Sequence, residues 1–148
     1  MSDTTTDTVR LAQKLFDDGF NCAESVLLAL AGRLEVASPL LPRIASGFGG
    51  GMARTQSTCG ALAGGVMGIG LKFGRMSASE DRAQIYGKTA ALIAAFKGRF
   101  HSHICRELTG IDFADPQEFA AHYPRVHHEI CSPIVAFAVE QALAILLA

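Results

Sequence analysis

The sequence predicts an all-α fold, a compact single-domain bundle of about five to seven helices. Three observations carry this. No stretch alternates polar and apolar residues with the β-branched enrichment of a strand, every boundary signal belongs to a helix, and the apolar residues between those signals recur at helical spacing. With 148 residues, 49% of them hydrophobic and 18% charged, the chain can bury one core without disulfide staples. A net charge of -1 offers no attraction for nucleic acid or an anionic membrane surface.

Residues 1–6 are expected to be a disordered tail, and 7–148 a single helical domain. Asp7 caps the first helix, with Val9, Leu11, Leu15 and Phe16 on its apolar face and Gly19 as its stop. Asn21 and Glu24 form an N-x-x-E capping box for the second, which carries Val26, Leu27, Leu28 and Leu30 as far as Gly32. Cys22 falls at N1 of that helix. Ser38 and Pro39 open a short segment that ends in the glycine run G-F-G-G-G-M-A-R, residues 47–54. This run matches neither G-x-x-x-x-G-K-[ST] nor G-x-G-x-x-G and follows no strand, so a tight connection approaching a neighbouring site is favoured over a phosphate loop.

Ser57 or Thr58 caps a glycine-rich helix with Cys59 at N1 or N2. Its small residues, Gly60, Gly64, Gly65, Gly68 and Gly70, suit close approach of another backbone. Ser77 and Glu80 make a capping box for the longest helix, which turns Ile85, Tyr86, Ala90, Leu92, Ile93 and Phe96 inward and stops at Gly98. The segment 100–110 reads as a short helix with Ser102 as cap, Cys105 in its first turn and Gly110 as stop. Asp115-Pro116 starts another helix, ending before Tyr123-Pro124. Ser132-Pro133 starts the last one, with Cys131 immediately ahead of the cap.

No basic and apolar leader opens the chain, so a cytoplasmic location is expected. The apolar runs 60–71 and 133–148 fall short of the roughly 20 residues a membrane span needs and read as core helices, so no membrane span is expected. The final A-L-A-I-L-L-A carries no charge, which leads to the expectation of a homo-oligomer.

The four cysteines are separated by 37, 46 and 26 residues, which removes the C-x-x-C signatures of zinc ribbons and thioredoxin-type motifs. All four fall within about a turn of a predicted helix N-terminus. Unpaired N–H groups and the helix dipole favour a thiolate there, by about 0.3–2 kcal/mol. That is too little to ionise a thiol at neutral pH without added positive charge. Arg106, His103 and His101 can supply it to Cys105, and His128 and His127 to Cys131. A lone buried cysteine is often merely a small hydrophobe; four at equivalent positions carry more weight. His101 stands four residues before Cys105 and His128 three before Cys131, spacings that allow a shared metal.

These residues resemble a known bacterial family, C-GCAxxG-C-C, described as redox-active proteins with four characteristic cysteines. Cys59-Gly60-Ala61-Leu62-Ala63-Gly64 matches its central C-G-A-x-x-G, Cys22 stands in G-F-N-C-A-E-S-V, Cys105 in C-R-E-L-T-G, and Cys131 precedes the last helix. The similarity runs from about Leu15 to Cys131. It implies redox involvement and supports Cys22, Cys59, Cys105 and Cys131 as the functional set. The expected function is thiol–disulfide exchange or electron transfer, with Cys59 as the attacking thiolate and a redox partner protein or small thiol as partner. Gly60 and Gly64 are the positions where backbone closely approaches the site. The alternative is a metal-binding module, with the four cysteines holding an iron–sulfur cluster or zinc and His101 and His128 as weaker ligand candidates. A non-catalytic helical interaction domain is the third reading.

Overall fold

The computed structural model describes residues 4–148. Seven α-helices follow one another: α1 Thr4–Asp17, α2 Cys22–Arg33, α3 Gly60–Phe73, α4 Ala83–Phe100, α5 Cys105–Thr109, α6 Pro116–Val126 and α7 Ser132–Leu146. A 3-10 turn, Arg43–Phe48, lies between α2 and α3, and a π turn, His127–Cys131, joins α6 to α7. Among the described residues no strand forms, and extended pairing is limited to one antiparallel bridge between Thr58 and Ile104. The fold is all-α, as the sequence predicts.

Helix α7 is the centre of the packing. Ile134, Val135, Ala138, Val139, Ala142, Leu143 and Leu146 are buried on it, and it packs against α1, α2, α3 and α4. Val9 and Phe16, Val26 and Leu30, Ile69, Leu92 and Phe96 complete the same core from those four helices. Each large side chain so buried contributes about 1.5–3 kcal/mol relative to exposure. The uncharged C-terminal stretch is therefore partly consumed within the chain. Ala142, Leu143 and Leu146 of that stretch are buried, while Ala144, Leu147 and Ala148 are exposed.

The glycine-rich α3 crosses α2 at backbone distance, as its composition suggests. A Cβ on Gly64 would lie 2.7 Å from the Ala23 carbonyl oxygen, and one on Gly68 only 2.3 Å from Leu30 Cδ1. The predicted capping box at the start of α2 is complete: Glu24 N–H donates to Asn21 Oδ1 at 2.8 Å, and Asn21 N–H donates to Glu24 Oε1 at 2.9 Å.

Several boundaries differ from expectation. Helix α1 begins at Thr4, so Asp7 sits inside it, the expected tail is helical from residue 4, and its remainder, 1–3, lies outside the described residues. Leu11 faces solvent. Ser77 and Glu80 do not cap α4. The Glu80 carboxylate accepts from Met76 N–H instead, and α4 opens at Ala83, whose N–H donates to Asp81 Oδ1 at 3.0 Å. Tyr86 and Ala90 are exposed, and α4 runs past Gly98 to Phe100, ending on His101 in the left-handed region at φ 66°. Ser102 does not begin α5; its hydroxyl accepts from Ile104 N–H at 3.0 Å and donates to Glu107 Oε1 at 2.7 Å, holding the loop before it.

The largest difference lies at the two prolines of the C-terminal region. Pro116 to Leu146 is one continuous helix of 31 residues, with Pro124 inside it. Tyr123-Pro124 therefore ends nothing, and Ser132-Pro133 starts nothing. Pro133 would press its ring on the carbonyl four residues back. The chain meets this with a π turn, in which Ser132 N–H donates to the carbonyl of His127, and the core contacts of α7 keep the helix unbroken. By length and apolarity this helix could cross a membrane, but its buried residues are the ones that hold the core.

Candidate functional site

All four cysteines line one cavity of about 460 Å³. Three of them do stand at helix starts. Cys22 is N1 of α2, Cys59 is the N-cap of α3, and Cys105 is N1 of α5. Cys131 does not. With φ -70° and ψ -41° it is helical, on the π turn in the middle of the long helix, so the expected placement of all four at helix N-termini is corrected to three.

Backbone bonds bring these starts together. Around the Thr58–Ile104 bridge, Cys59 N–H donates to the His103 carbonyl at 2.8 Å and Cys105 N–H donates to the Ser57 carbonyl at 2.7 Å. Cys59 and Cys105 are thus joined through main chain. Gln56, buried, secures the far side: its Nε2 donates to the Ile111 carbonyl at 2.8 Å and to Thr109 Oγ1 at 3.1 Å, while its Oε1 accepts from Phe113 N–H at 2.9 Å. Gln56→Leu orphans these buried groups and is expected to cost about 1–3 kcal/mol, read as a lower urea midpoint at unchanged m-value.

Gly60 faces the sulfur of Cys22. A Cβ there would lie 2.5 Å from Cys22 Sγ and 2.6 Å from the Phe48 carbonyl oxygen. Gly60 lines the cavity, whereas Gly64 lies behind it against α2, so only the first of the two expected glycines reaches the site. The run 47–54 is the tight connection expected. Gly50, Gly51, Met52, Ala53 and Arg54 are successive residues with φ between 52° and 69°, a left-handed turn that includes three residues with side chains. Such backbone costs about 1–2 kcal/mol per non-glycine residue and persists only where its surroundings hold it. Here Thr55 Oγ1 donates to the Met52 carbonyl at 2.6 Å, and Gly51 fits so closely that a Cβ would lie 2.6 Å from Cys105 Cβ.

Aromatic residues make the opposite wall. Phe119, Tyr123, His127 and Cys131 follow at intervals of four along the long helix, and all line the cavity. Such a row drifts by about 40° per step on an α-helix. The wider π turn takes drift back, which keeps Cys131 on the cavity side. Phe119 and Tyr123 stack at 4.5 Å, His127 stacks on Phe16 at 3.8 Å, and His127 Nε2 lies 3.2 Å from Asp17 Oδ1. Arg54, exposed, holds its guanidinium 4.5 Å from the centre of the Phe119 ring. The period-four row was the readable signal for this wall, hidden by treating the prolines as helix boundaries.

Burial governs the thiols. It pushes Cys105 up to about 11 and Cys131 up to about 12, with the charge of Cys22 adding to both. Cys59 is driven up as well, again by burial first and then by Cys22. Cys22 is also raised by burial, but four backbone N–H groups, those of Gly50, Ala23, Cys22 itself and Ala61, pull the other way. Of the four thiols, Cys22 has the most backbone N–H groups favouring its anion.

All four cysteines are free thiols. Among the described residues, no three of His, Cys, Asp and Glu come close enough together to hold a metal ion. His101 and His128 are exposed and do not line the cavity.

The family model described as "Putative redox-active protein (C_GCAxxG_C_C)" matches residues 20–145. The chain belongs to this family. The match includes every cysteine and all of the cavity lining except Phe16 and Gly19. The C_GCAxxG_C_C name is written with glycine before cysteine, whereas this chain has Cys59 before Gly60, and that order leaves the cysteine as N-cap and the glycine against Cys22. No curated protein and no solved structure matches the chain.

Proposed function

We propose that the protein is a thiol–disulfide redox protein in which Cys22 is the attacking thiol. The observation that carries this is the convergence of four free cysteines on one cavity, with Cys22 alone surrounded by four backbone N–H groups. Those donors favour its anion where burial opposes it. This moves the nucleophile from Cys59, which the sequence favours, to Cys22.

The Cys22 thiolate attacks one sulfur of a disulfide, and that disulfide's other half leaves as a thiolate. Cys105, which lines the same cavity, then loses its proton to solvent and attacks Cys22 Sγ, releasing the second half and leaving a Cys22–Cys105 disulfide. The incoming disulfide is the oxidant, and two thiols of the protein are oxidised. A cluster or zinc is less well supported, because the sulfurs as placed do not form a ligand set. A purely structural role leaves four thiols lining one cavity without a reason.

Oxidation of the reduced protein with a mild disulfide, alkylation of the remaining thiols and peptide mapping test this reading. The expected product is the Cys22–Cys105 pair, with Cys22→Ser abolishing it. Four thiols that alkylate at one common rate and never pair would refute the proposal.

A further inference from the structure

We infer that the cavity selects a small disulfide with a flat, apolar body and an acidic group, rather than a disulfide on the surface of a folded protein. This rests on the thiol-exchange reading above and specifies its substrate. Depth is the first ground. Cys59 and Cys105 are each only 8% exposed, and the half-buried Cys22 and Cys131 line the same recess of about 460 Å³. A small flat molecule can sit in such a recess, whereas the convex surface of a folded protein meets its rim first. That volume lies within the range of small-molecule sites, about 300–1,000 Å³.

The walls give the second ground. Phe113 meets Phe119 and Tyr123 edge-on at 5.3 and 5.6 Å, while Phe119 and Tyr123 lie nearly parallel. These rings offer faces and edges to a flat partner. The third ground is charge. No Asp or Glu lines the cavity, whereas Arg54 does. Among the described residues Arg54 has no carboxylate partner, its neighbours being the Phe119 ring and Tyr123. The left-handed turn through Met52, Ala53 and Arg54 puts this unpaired cation on the cavity wall, and an acidic substituent is its natural complement.

The chemistry balances with an aromatic disulfide as oxidant. Cys22 forms the mixed disulfide and one aryl thiolate leaves; Cys105 attacks Cys22 Sγ and the second leaves. Each chain oxidises two thiols, gives up two protons and releases two aryl thiolates.

Three probes separate the contributions: dithiobisnitrobenzoate, flat and acidic; dithiodipyridine, flat and uncharged; and cystamine, flexible and cationic. With the reduced full chain at neutral pH, the expected order of second-order rates, each divided by the rate of free cysteine with that probe, is acidic aromatic, then neutral aromatic, then cystamine. Arg54→Gln is expected to lower the ratio of acidic to neutral rates about fivefold, and about 0.5 M salt to compress the same ratio in the parent. Arg54→Lys should restore part of it. If cystamine is the fastest probe, or Arg54→Gln leaves the ratio unchanged, the substrate inference is wrong while the exchange reading survives. If Cys22→Ser reacts as the parent does with all three probes, both fall. A folded protein disulfide that oxidises the chain faster than any small probe would overturn the inference alone.

Discussion

Replacing Gly64 by alanine is expected to destabilise the protein by about 3 kcal/mol, whereas the same change at Gly70, further along the same helix, is expected to stabilise it by up to about 1 kcal/mol. Gly64 faces the α2 backbone, where a new Cβ would lie 2.7 Å from the Ala23 carbonyl oxygen and 3.2 Å from Ala23 Cα. Neither atom can rotate away, so α2 and α3 must separate and their shared core contacts loosen. A Cβ added to Gly70 would meet nothing within 4 Å, so alanine there only removes the entropy cost of a glycine in a helix. For a chain of this size the two changes correspond to a fall of about 6–12 °C and a rise of about 2–4 °C in Tm. The Gly64 variant is also expected to lose thiol selectivity, because Ala23 adjoins Cys22. Equal Tm shifts of the same sign would show that helix propensity, not the approach of α2, governs both positions.

The sequence was informative where chemistry and conformation coincide. Asn21 with Glu24 specified a cap because each side chain satisfies the other's backbone N–H, and the structure forms both bonds. The glycines of α3 specified close approach because nothing else lets backbones meet at that distance. Cysteine order along the chain marked the four residues that share the cavity, although not their geometry. Local signals failed where the core overrode them. Ser132-Pro133 reads as a helix start, yet Val135, Val139 and Leu143 hold α7 in line with α6, and the conflict is absorbed in a π turn. The left-handed turn was beyond reach for another reason: Met52, Ala53 and Arg54 have no preference for positive φ, and the close fit of Gly50 and Gly51 together with the Thr55 hydroxyl bond holds it. With both went the aromatic row and Arg54, the residues that give the cavity its expected selectivity.

The fully reduced protein is expected to lose stability steeply above about pH 9. An acid whose folded value is raised keeps its proton in the folded chain after the unfolded chain has released it. The stabilisation is therefore complete below the unfolded value, near 9 for a thiol, and is lost as pH rises through the folded value. Cys105, at about 11, and Cys131, at about 12, set that window. Each contributes a slope of about 1.4 kcal/mol per pH unit within it. Together they remove about 3 kcal/mol per unit, a large fraction of the 5–15 kcal/mol typical of a domain. Cys22 and Cys59 act in the same direction, since burial raises both. Urea unfolding under reducing conditions between about pH 8 and 10 should show this fall. Cys131→Ala should be less stable than the parent at about pH 8, having lost a packed side chain, but its decline should be shallower by one thiol's share. Formation of the Cys22–Cys105 disulfide should flatten the decline further, because oxidised cysteines have no proton to lose. A parent and a Cys131→Ala chain with parallel pH profiles would mean that the Cys131 thiol is hydrated as freely in the folded protein as in the unfolded one, and its burial in the cavity wall would then be the wrong description.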